Sequence, residues 1–306
     1  MGDVPALGVV VMAYGTPAAA EDIEPYYTHI RRGTPPSAEQ LAELTARYEA
    51  IGGISPLAER TEAQRAELQR ALEERSPGCR VVLGQKHAAP FIEDAVAALA
   101  VTGVERVVGL VLAPHFSRAS VGQYQERLAA AATVHGLSWA GIDSWHLEPA
   151  YLRFLTDVVL DGLARLPERT RVLFTAHSLP ERALADDPYP DQLRDSAARV
   201  ADAAGLDGSG GWSLCWQSAG RTAEPWRGPD VLDVIRDLAG TGRADGVLVC
   251  PQGFVSDHLE VVYDLDIEAR SVAEAAGLTF ARTRVLNDMP SMFDALADRV
   301  LAAAPA

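Results

Sequence analysis

The chain has 306 residues, of which 48% are hydrophobic and 23% are charged, so it can fold into one large domain or two of ordinary size. Its formal net charge of −15 argues against nucleic acid as a partner and is compatible with the handling of metal cations. Three scattered cysteines without a CxxC pair suit a reducing cytoplasm, and no apolar run reaches the ~18 residues that span a bilayer. We therefore expect a cytoplasmic protein without stable membrane insertion.

Short β-branched runs alternate along the chain with longer segments of helical period. Predicted strands are Leu7–Ala13, Arg80–Gly84, Arg106–Ala113, Ser138–Ile142, Arg171–Ala176, Trp212–Trp216, Gly246–Cys250 and Leu278–Ala281. Predicted helices are Ala38–Tyr48, Thr61–Arg75, Phe91–Ala100, Val121–His135, Leu152–Leu166, Pro190–Ala204, Val231–Leu238 and Met292–Ala304. Continuous apolar strands separated by amphipathic helices are typical of an α/β fold with parallel sheets flanked by helices.

The two halves of the chain resemble each other. GVVVMAYGTP near the start is matched by VLFTAHSLP from Val172, and VVGLVLAPHFS by GVLVCPQGFVS. This repeat favours two doubly wound domains over one extended sheet. We place the first domain at residues 1–142 and the second at 143–287, with the last helix, 288–306, packing back on the first.

The predicted strand ends carry most of the residues that could perform chemistry. In open parallel sheets, ligands bind beyond the carboxyl ends of the strands. Here those ends carry Tyr14, Lys86–His87, His115, His177 and the loop Gly253–Glu260. If the two rows of strand ends face one cleft, that cleft is rich in histidine, aromatic and carboxylate groups.

His177 follows an apolar strand in the segment FTAHSLP. An imidazole at a strand end can bind a metal or accept a proton near neutral pH. The alternative, with about equal weight from position alone, is a histidine that caps the next helix.

The segment PQGFVSDHLEVVYDLDIE places Glu260, Asp264 and Glu268 four residues apart. On a helix this spacing aligns three carboxylates along one face. A solvated acidic face is the usual explanation, but the intervening Val261 and Leu265 indicate a packed element. Such a line of carboxylates could relay a cation or protons. His258 is either an outer partner of this site or a cap of the turn.

Aromatic and basic residues are neighbours in sequence at several places in the first half of the chain. Tyr14 lies in a strand-to-helix turn, where a packed aromatic is the alternative. In YYTHIRRGTPP, Arg31 and Arg32 stand beside tyrosines, an arrangement that suits a flat ligand rimmed by carboxylates or simply an amphipathic helix end. RYEAIGGISPL adds Arg47 with its neighbouring tyrosine and a glycine loop ending at Ser55.

A series of motifs runs in order from Val11 to Asp266: VMAYGTP, EDIEPYYTHIRRG, RYEAIGGISPL, GQKHAAPFIEDAV, VLAPHFS, TAHSLPER, DPYPDQL, WQSAGRTAEPWRGPD and GFVSDHLEVVYDLD. Together they resemble the ferrochelatase family, specifically its short bacterial branch that uses coproporphyrin III. The resemblance covers most of the chain. It implies two Rossmann-like domains with the active-site cleft between them.

The resemblance also implies roles for individual residues. His177 and Glu260 would face each other across the porphyrin plane, where they bind metal and remove pyrrole protons. Asp264 and Glu268 would form the outer part of an acidic line, and Tyr14 would lie under the opposite porphyrin face, able to ligate iron in the product. The positions matching those that hold the macrocycle and its carboxylates are Arg31, Arg47, Tyr48, Ser55 and Tyr124.

The implied activity is a lyase of haem biosynthesis that inserts Fe²⁺ into coproporphyrin III to give coproheme. Ferrous iron and the porphyrin are then substrates, and other haem-pathway enzymes are possible partners. Many relatives carry a cysteine-containing C-terminal extension that holds an iron–sulfur cluster. This chain has three scattered cysteines where a cluster generally needs four ligands. We expect no cluster, no permanently bound cofactor and a monomer.

Two alternatives stay open. The first is a chelatase of the same fold for protoporphyrin IX or another tetrapyrrole or metal, against which the IRRG and GGISPL segments weigh. The second is a non-catalytic haem carrier that uses Tyr14 as its ligand. A carrier would have no use for the carboxylate line, and retention of both His177 and Glu260 weighs against it.

Overall fold

In the part of the chain that the structure describes, eight β-strands alternate with helices, which confirms the predicted α/β class. The computed structural model describes residues 7–206, 211–220 and 222–305. Residues 1–6 and 306 of the predicted domains, and Arg221 of the WQSAGRTAEPWRGPD motif, lie outside the described residues. The strands are β1 Leu7–Ala13, β2 Arg80–Gln85, β3 Arg106–Val111, β4 Ser138–Ile142, β5 Thr170–His177, β6 Trp212–Gln217, β7 Gly246–Cys250 and β8 Thr279–Arg282.

The connecting segments are mainly α-helical. The α-helices are α1 Ile23–Ile30, α2 Ala38–Ala50, α3 Leu57–Arg75, α4 Ile92–Ala100, α5 Gln123–Val134, α6 Pro149–Leu163, α7 Tyr189–Ala203, α8 Val231–Gly240, α9 Leu259–Val261, α10 Arg270–Ala275 and α11 Pro290–Ala303. Short 3₁₀ turns occur at Ala20–Asp22 and Glu181–Ala183, and π-helical turns at Arg118–Gly122 and Val262–Ala269. Over the ranges that the structure describes, no helix is both long and apolar enough to cross a membrane.

The strands form two four-stranded sheets with the same order. One sheet runs β2-β1-β3-β4 and the other β6-β5-β7-β8, and every neighbouring pair is parallel. The strands that carry the repeated segments therefore occupy equivalent positions, β1 with β5 and β3 with β7. In each sheet the first strand of the half lies inside, and the chain moves outward in both directions from it. This arrangement is the doubly wound topology that the repeat predicts.

Residue contacts divide the chain into two units, each with one sheet. The first comprises residues 7–113, 119–144 and 287–305, and the second comprises residues 114–118 and 145–286. In the first unit β1 is buried along its whole length, and α11 packs on α3. Ion pairs from Arg70 to Asp294 (3.1 Å) and from Arg75 to Asp298 (2.7 Å) bridge these two helices.

In the second unit, the apolar side of the segment after β7 is anchored in the core. Val261 and Leu265 are fully buried and belong to a cluster with Leu173 of β5 and Val247 and Val249 of β7. Burial of side chains of this size contributes roughly 1.5–3 kcal/mol each. The polar residues of the same segment are therefore held at fixed positions beside the ends of β5 and β7.

The carboxylate segment is not the regular α-helix that its four-residue spacing suggests. One short α-turn, Leu259–Val261, is followed by π-helix over Val262–Ala269 and then by α10. A π-helix forms i→i+5 hydrogen bonds, and such turns occur frequently at functional sites. A spacing of four residues is compatible with either helix type, so the sequence alone does not distinguish them.

Candidate functional site

The carboxyl ends of β5 and β7 form the topological switch point of the second unit. These strands are neighbours, yet from β5 the chain continues through α7 to β6 on one side, and from β7 it continues to β8 on the other. The loops therefore part above the two strand ends and leave a crevice where ligands of this fold class bind. His177 is the last residue of β5, and the loop after β7 leads into Glu260.

His177 and Glu260 meet at this crevice. The imidazole Nε2 lies 3.5 Å from Glu260 Oε1, and the two side chains are 35% and 33% exposed, so a ligand can still reach them. The Nδ1–H of His177 donates to the carbonyl oxygen of Ser178 at 2.5 Å. Because that bond occupies Nδ1, Nε2 is the nitrogen that exchanges a proton toward Glu260.

A second imidazole holds the other oxygen of Glu260. His258 Nε2 lies 3.6 Å from Oε2, and His258 Nδ1 donates to the carbonyl oxygen of Ser256 at 2.9 Å. The His258 backbone is extended and precedes the first residue of α9. His258 therefore occupies the first position of the turn without a side-chain capping bond, and its imidazole contacts the carboxylate.

The electrostatics of the pair favour imidazolium and carboxylate together. Burial lowers the pKa of His177, but attraction and hydrogen bonding to Glu260 outweigh burial and raise the pKa to about 9. Burial raises the pKa of Glu260, while the charges of His177 and His258 hold it well below its usual range. At neutral pH, His177 in the free protein therefore carries the proton that it must lose to act as a base.

Gln217 links the two partners and was not singled out from the sequence. It pairs with His177 across β5 and β6, and its Nε2 donates to the backbone oxygen of Glu260 at 3.0 Å. Its backbone carbonyl oxygen accepts from the Ser178 N–H at 2.8 Å. The Tyr189 hydroxyl donates to the carbonyl oxygen of His177 at 3.3 Å. The sequence carries no signal for this role, because it depends on β6 pairing with β5.

The outer carboxylates differ in environment. Asp264 is 6% exposed, and the Ser218 hydroxyl donates to its Oδ2 at 2.5 Å. Ser218 adopts a positive φ of 59°, a conformation unfavourable for a residue with a side chain. Glu268 is half-buried on the same π-helix. Within the described ranges, no three His, Cys, Asp or Glu side chains converge into a ready-made metal cage.

The remaining predicted site residues all belong to the first unit. Tyr14 follows β1, is 43% exposed and packs its ring on His87 at a centroid distance of 4.6 Å. His87 Nδ1 in turn lies 3.0 Å from His29 Nδ1. The Arg31 guanidinium lies 5.6 Å from the centroid of the Tyr27 ring, and its Nε donates to Thr34 O at 3.2 Å. Arg47 is half-buried on α2.

Three of the predicted porphyrin contacts have little exposed surface. Tyr48 is 2% exposed with its hydroxyl 3.4 Å from Thr16 Oγ1, and Ser55 Oγ accepts from Leu57 N at 3.3 Å. Tyr124 is 4% exposed, and burial raises the pKa of its phenol. Cys250 at the end of β7 is fully buried, and burial raises the pKa of its thiol to about 12.

Comparison with known proteins covers nearly the whole chain. The family model Ferrochelatase matches residues 6–304. The coproporphyrin III ferrochelatase of Geobacillus kaustophilus (strain HTA426) is 47% identical over 302 residues, 96% of this chain and 95% of that protein. The protein of the same name from Bacillus subtilis (strain 168) is 45% identical over 303 residues, 96% of this chain and 97% of that protein.

Solved structures of low identity share the fold. SirB from Bacillus subtilis with Fe³⁺ aligns with a TM-score of 0.58 at 12% identity, over 97% of this chain and 95% of that one. CbiX, described as the terminal enzyme of sirohaem biosynthesis in denitrifying bacteria, aligns with a TM-score of 0.56 at 15% identity, over 97% and 99%. These two structures support the two-sheet architecture. Family membership follows from the match to the family model and from the identity to the two relatives. The chain belongs to the ferrochelatase family.

Proposed function

We propose that this protein is a coproporphyrin III ferrochelatase, a lyase that inserts Fe²⁺ into coproporphyrin III to form coproheme in haem biosynthesis. The observation that carries the proposal is the contact of His177 with Glu260 at the switch point of a chain in this family. Relatives bearing that name are 44–47% identical over nearly their full length. Ferrous iron and the porphyrin are both substrates.

The reaction requires both proton removal and metal entry. A free porphyrin holds two N–H protons in a flat ring, and a metal enters only when the nitrogen lone pairs are exposed. A site that binds the macrocycle bent lowers this barrier, because the bent ring resembles the transition state. His177 is the base for a pyrrole proton, and Glu260 holds the incoming cation or accepts the second proton.

The resting ion pair couples these two events. Without a cation at the site, the negative charge of Glu260 keeps a proton on Nε2 of His177. A cation that arrives beside Glu260 competes with the imidazolium for the carboxylate, and its positive charge lowers the proton affinity of Nε2. The proton leaves to solvent, and the neutral imidazole is then ready for a pyrrole proton. Metal arrival thus activates the base.

Other predicted site residues, in both units, serve the approach of the cation and the binding of the porphyrin. Asp264 and Glu268 form the outer part of the path for the cation, with Asp264 oriented by Ser218. Tyr14, the exposed aromatic of the first unit, contacts a porphyrin face, and Arg31 and Arg47 bind its carboxylates. The buried Tyr48, Ser55 and Tyr124 support that surface from within.

The proposal includes the cofactor content, the cellular location and the oligomeric state of the enzyme. We infer an enzyme that carries no permanent cofactor or iron–sulfur cluster and acts as a cytoplasmic monomer, in contact with other enzymes of the haem pathway. Support comes from its three buried cysteines, whose thiols are free. Addition of an iron chelator before the substrates would stop the reaction, whereas prior dialysis against the chelator and its removal would leave activity intact.

The test is a product assay under anaerobic conditions with Fe²⁺ and three tetrapyrroles: coproporphyrin III, protoporphyrin IX and sirohydrochlorin. The proposal predicts fastest metallation of coproporphyrin III. Preference for protoporphyrin IX would correct the substrate, and preference for sirohydrochlorin would place the protein with chelatases such as those of its structural neighbours. Binding of iron porphyrin without metallation of any free porphyrin would indicate a haem carrier.

A further inference from the structure

Arg282 joins two carboxylates that flank Glu260 in the sequence. It is the last residue of β8 and pairs in register with Val249 of β7. Its Nε and Nη2 donate to the two carboxylate oxygens of Asp266, each at 2.8 Å, and its Nη1 lies 3.2 Å from Asp257 Oδ1. One guanidinium therefore contacts the chain both shortly before and shortly after Glu260.

This double contact depends on the shape of the guanidinium. The bidentate pair with Asp266 uses two N–H groups that point in parallel, and Nη1 also donates to the carbonyl oxygen of Thr283 at 3.2 Å. A lysine carries the same charge on one nitrogen and cannot reproduce the planar fork. The Arg282 side chain is 14% exposed, whereas that of Arg194 in its pair with Asp191 is 56% exposed. Water therefore competes less with the contacts of Arg282 than with an ordinary surface pair.

Apolar packing alone does not orient the segment that carries Glu260. Val261 and Leu265 belong to the same buried cluster as Phe280, which precedes Arg282 by two residues on β8. Apolar contacts are not directional, so they hold this segment against the sheet without fixing its rotation. A bidentate ion pair is directional. The contacts of Arg282 therefore supply the orientation that the apolar side chains leave open.

We propose that Arg282 is a positioning residue that holds the segment Asp257–Asp266 at both ends and thereby keeps the Glu260 carboxylate in contact with His177. Its effect on iron insertion rests on the proposed function, whereas its effect on the contact does not. Arg282 acts through Glu260 and does not touch the substrates. Asp257 and Asp266 accordingly serve to anchor the segment, unlike the carboxylates of the same segment that line the path of the cation.

The first test measures the pKa of His177 by NMR, without iron or porphyrin. Arg282→Met removes a positive charge, which by itself would raise the pKa of a nearby imidazole. Loss of the contact with Glu260 acts in the opposite direction, so the proposal predicts that the pKa falls from about 9 toward its value in Glu260→Gln. Arg282→Lys keeps the charge, is the milder change for folding, and should also lower the pKa. An unchanged or raised pKa in Arg282→Lys would overturn the proposal.

The second test is a double-mutant cycle on the rate of iron insertion. Arg282→Lys alone should lower kcat by about 10- to 100-fold, the range associated with a small misplacement of a catalytic group, and leave binding of metal-free coproporphyrin III unchanged. In the Glu260→Gln background the same substitution should lower kcat by less than about twofold, because no carboxylate remains to be positioned. Arg194→Lys, in an exposed pair of the same unit, is the matched control. Equal losses in both backgrounds would show that Arg282 does not act through Glu260.

These experiments separate the positioning role from the proposed activity. The NMR titration contains no substrate, so it does not depend on metal insertion. If the pKa of His177 falls in Arg282→Lys but the unchanged protein never metallates coproporphyrin III, the positioning role stands and the chelatase function fails. If the unchanged protein metallates coproporphyrin III and Arg282→Lys alters neither kcat nor the pKa of His177, the function stands and the positioning role fails.

Discussion

His177 Nε2 and Glu260 Oε1 lie 3.5 Å apart, although 83 positions separate the two residues in sequence. Their contact arises because β5 and β7 are parallel neighbours whose chains diverge at the carboxyl ends. A bond to Ser178 O fixes the tautomer of His177, and His258 and Gln217 hold Glu260 from two sides. The predictions below follow from this arrangement.

Glu260→Gln removes the negative charge while keeping the shape of the side chain. The rate of iron insertion should fall by about 10²–10⁴, the range associated with loss of an acid–base group, while metal-free porphyrin still binds. Glu274→Gln is the matched control, because Glu274 is an exposed carboxylate of α10 in the same segment. Equal rates of iron insertion for Glu260→Gln and Glu274→Gln would show that Glu260 has no role in the mechanism.

The pH dependence should reflect the raised pKa of His177. Because only neutral imidazole accepts a proton, kcat/KM should rise with pH through the neutral range toward a pKa of about 9. In Glu260→Gln the attraction is lost and burial remains, so NMR titration should find the His177 pKa lower than in the unchanged protein. His177→Ala identifies the resonance. A His177 pKa that is the same with and without the carboxylate would contradict the pairing.

His258→Asn tests whether the second imidazole positions Glu260. Asparagine is a favourable residue at the start of a helix, so the turn into α9 should survive the change. The contact with Glu260 Oε2 is lost, and we expect kcat to fall by about tenfold with Tm within a few degrees of the unchanged protein. An unaltered kcat would show that His258 does not position Glu260 and only starts the turn.

Gly253 tests the packing behind His177. A Cβ added there would meet Ala176 Cβ at 2.6 Å and Ala176 Cα at 2.8 Å, next to His177 on β5. Gly253→Ala should therefore lower the free energy of unfolding by about 1–3 kcal/mol and also slow metallation. Gly240→Ala, whose added Cβ would meet no heavy atom within 4 Å, should leave both unchanged or stabilise slightly. Urea unfolding measures the difference in the free energy of unfolding. Equal unfolding midpoints for Gly253→Ala and Gly240→Ala would contradict the prediction.

The sequence predicted the sheets well because burial dominates them. Continuous apolar runs such as Leu7–Ala13 and Gly246–Cys250 have matching bounds in the structure, since every residue in them is buried. The predicted strand through Ala113 ends at Val111 instead, shortly before Pro114, which has no N–H for a ladder. Periodicity also located α3, α7 and α11 to within a few residues.

Features that depend on tertiary neighbours were not accessible from the sequence. The role of Gln217 depends on β6 lying beside β5, and the contact of His29 with His87 joins residues 58 positions apart. The π-helix after Val261 has the same four-residue carboxylate spacing as an α-helix. Spacing and composition identify which residues can do chemistry, while strand order decides which of them meet.

The most direct test of the account is anaerobic insertion of Fe²⁺ into coproporphyrin III, followed by absorbance, for the unchanged protein and for His177→Ala. We expect rapid metallation by the unchanged protein and a loss of about 10²–10⁴ in rate for the variant, with porphyrin binding retained. If the unchanged protein binds coproporphyrin III and never metallates it, the pair of His177 and Glu260 does not perform this chemistry, and the haem-carrier alternative replaces the chelatase.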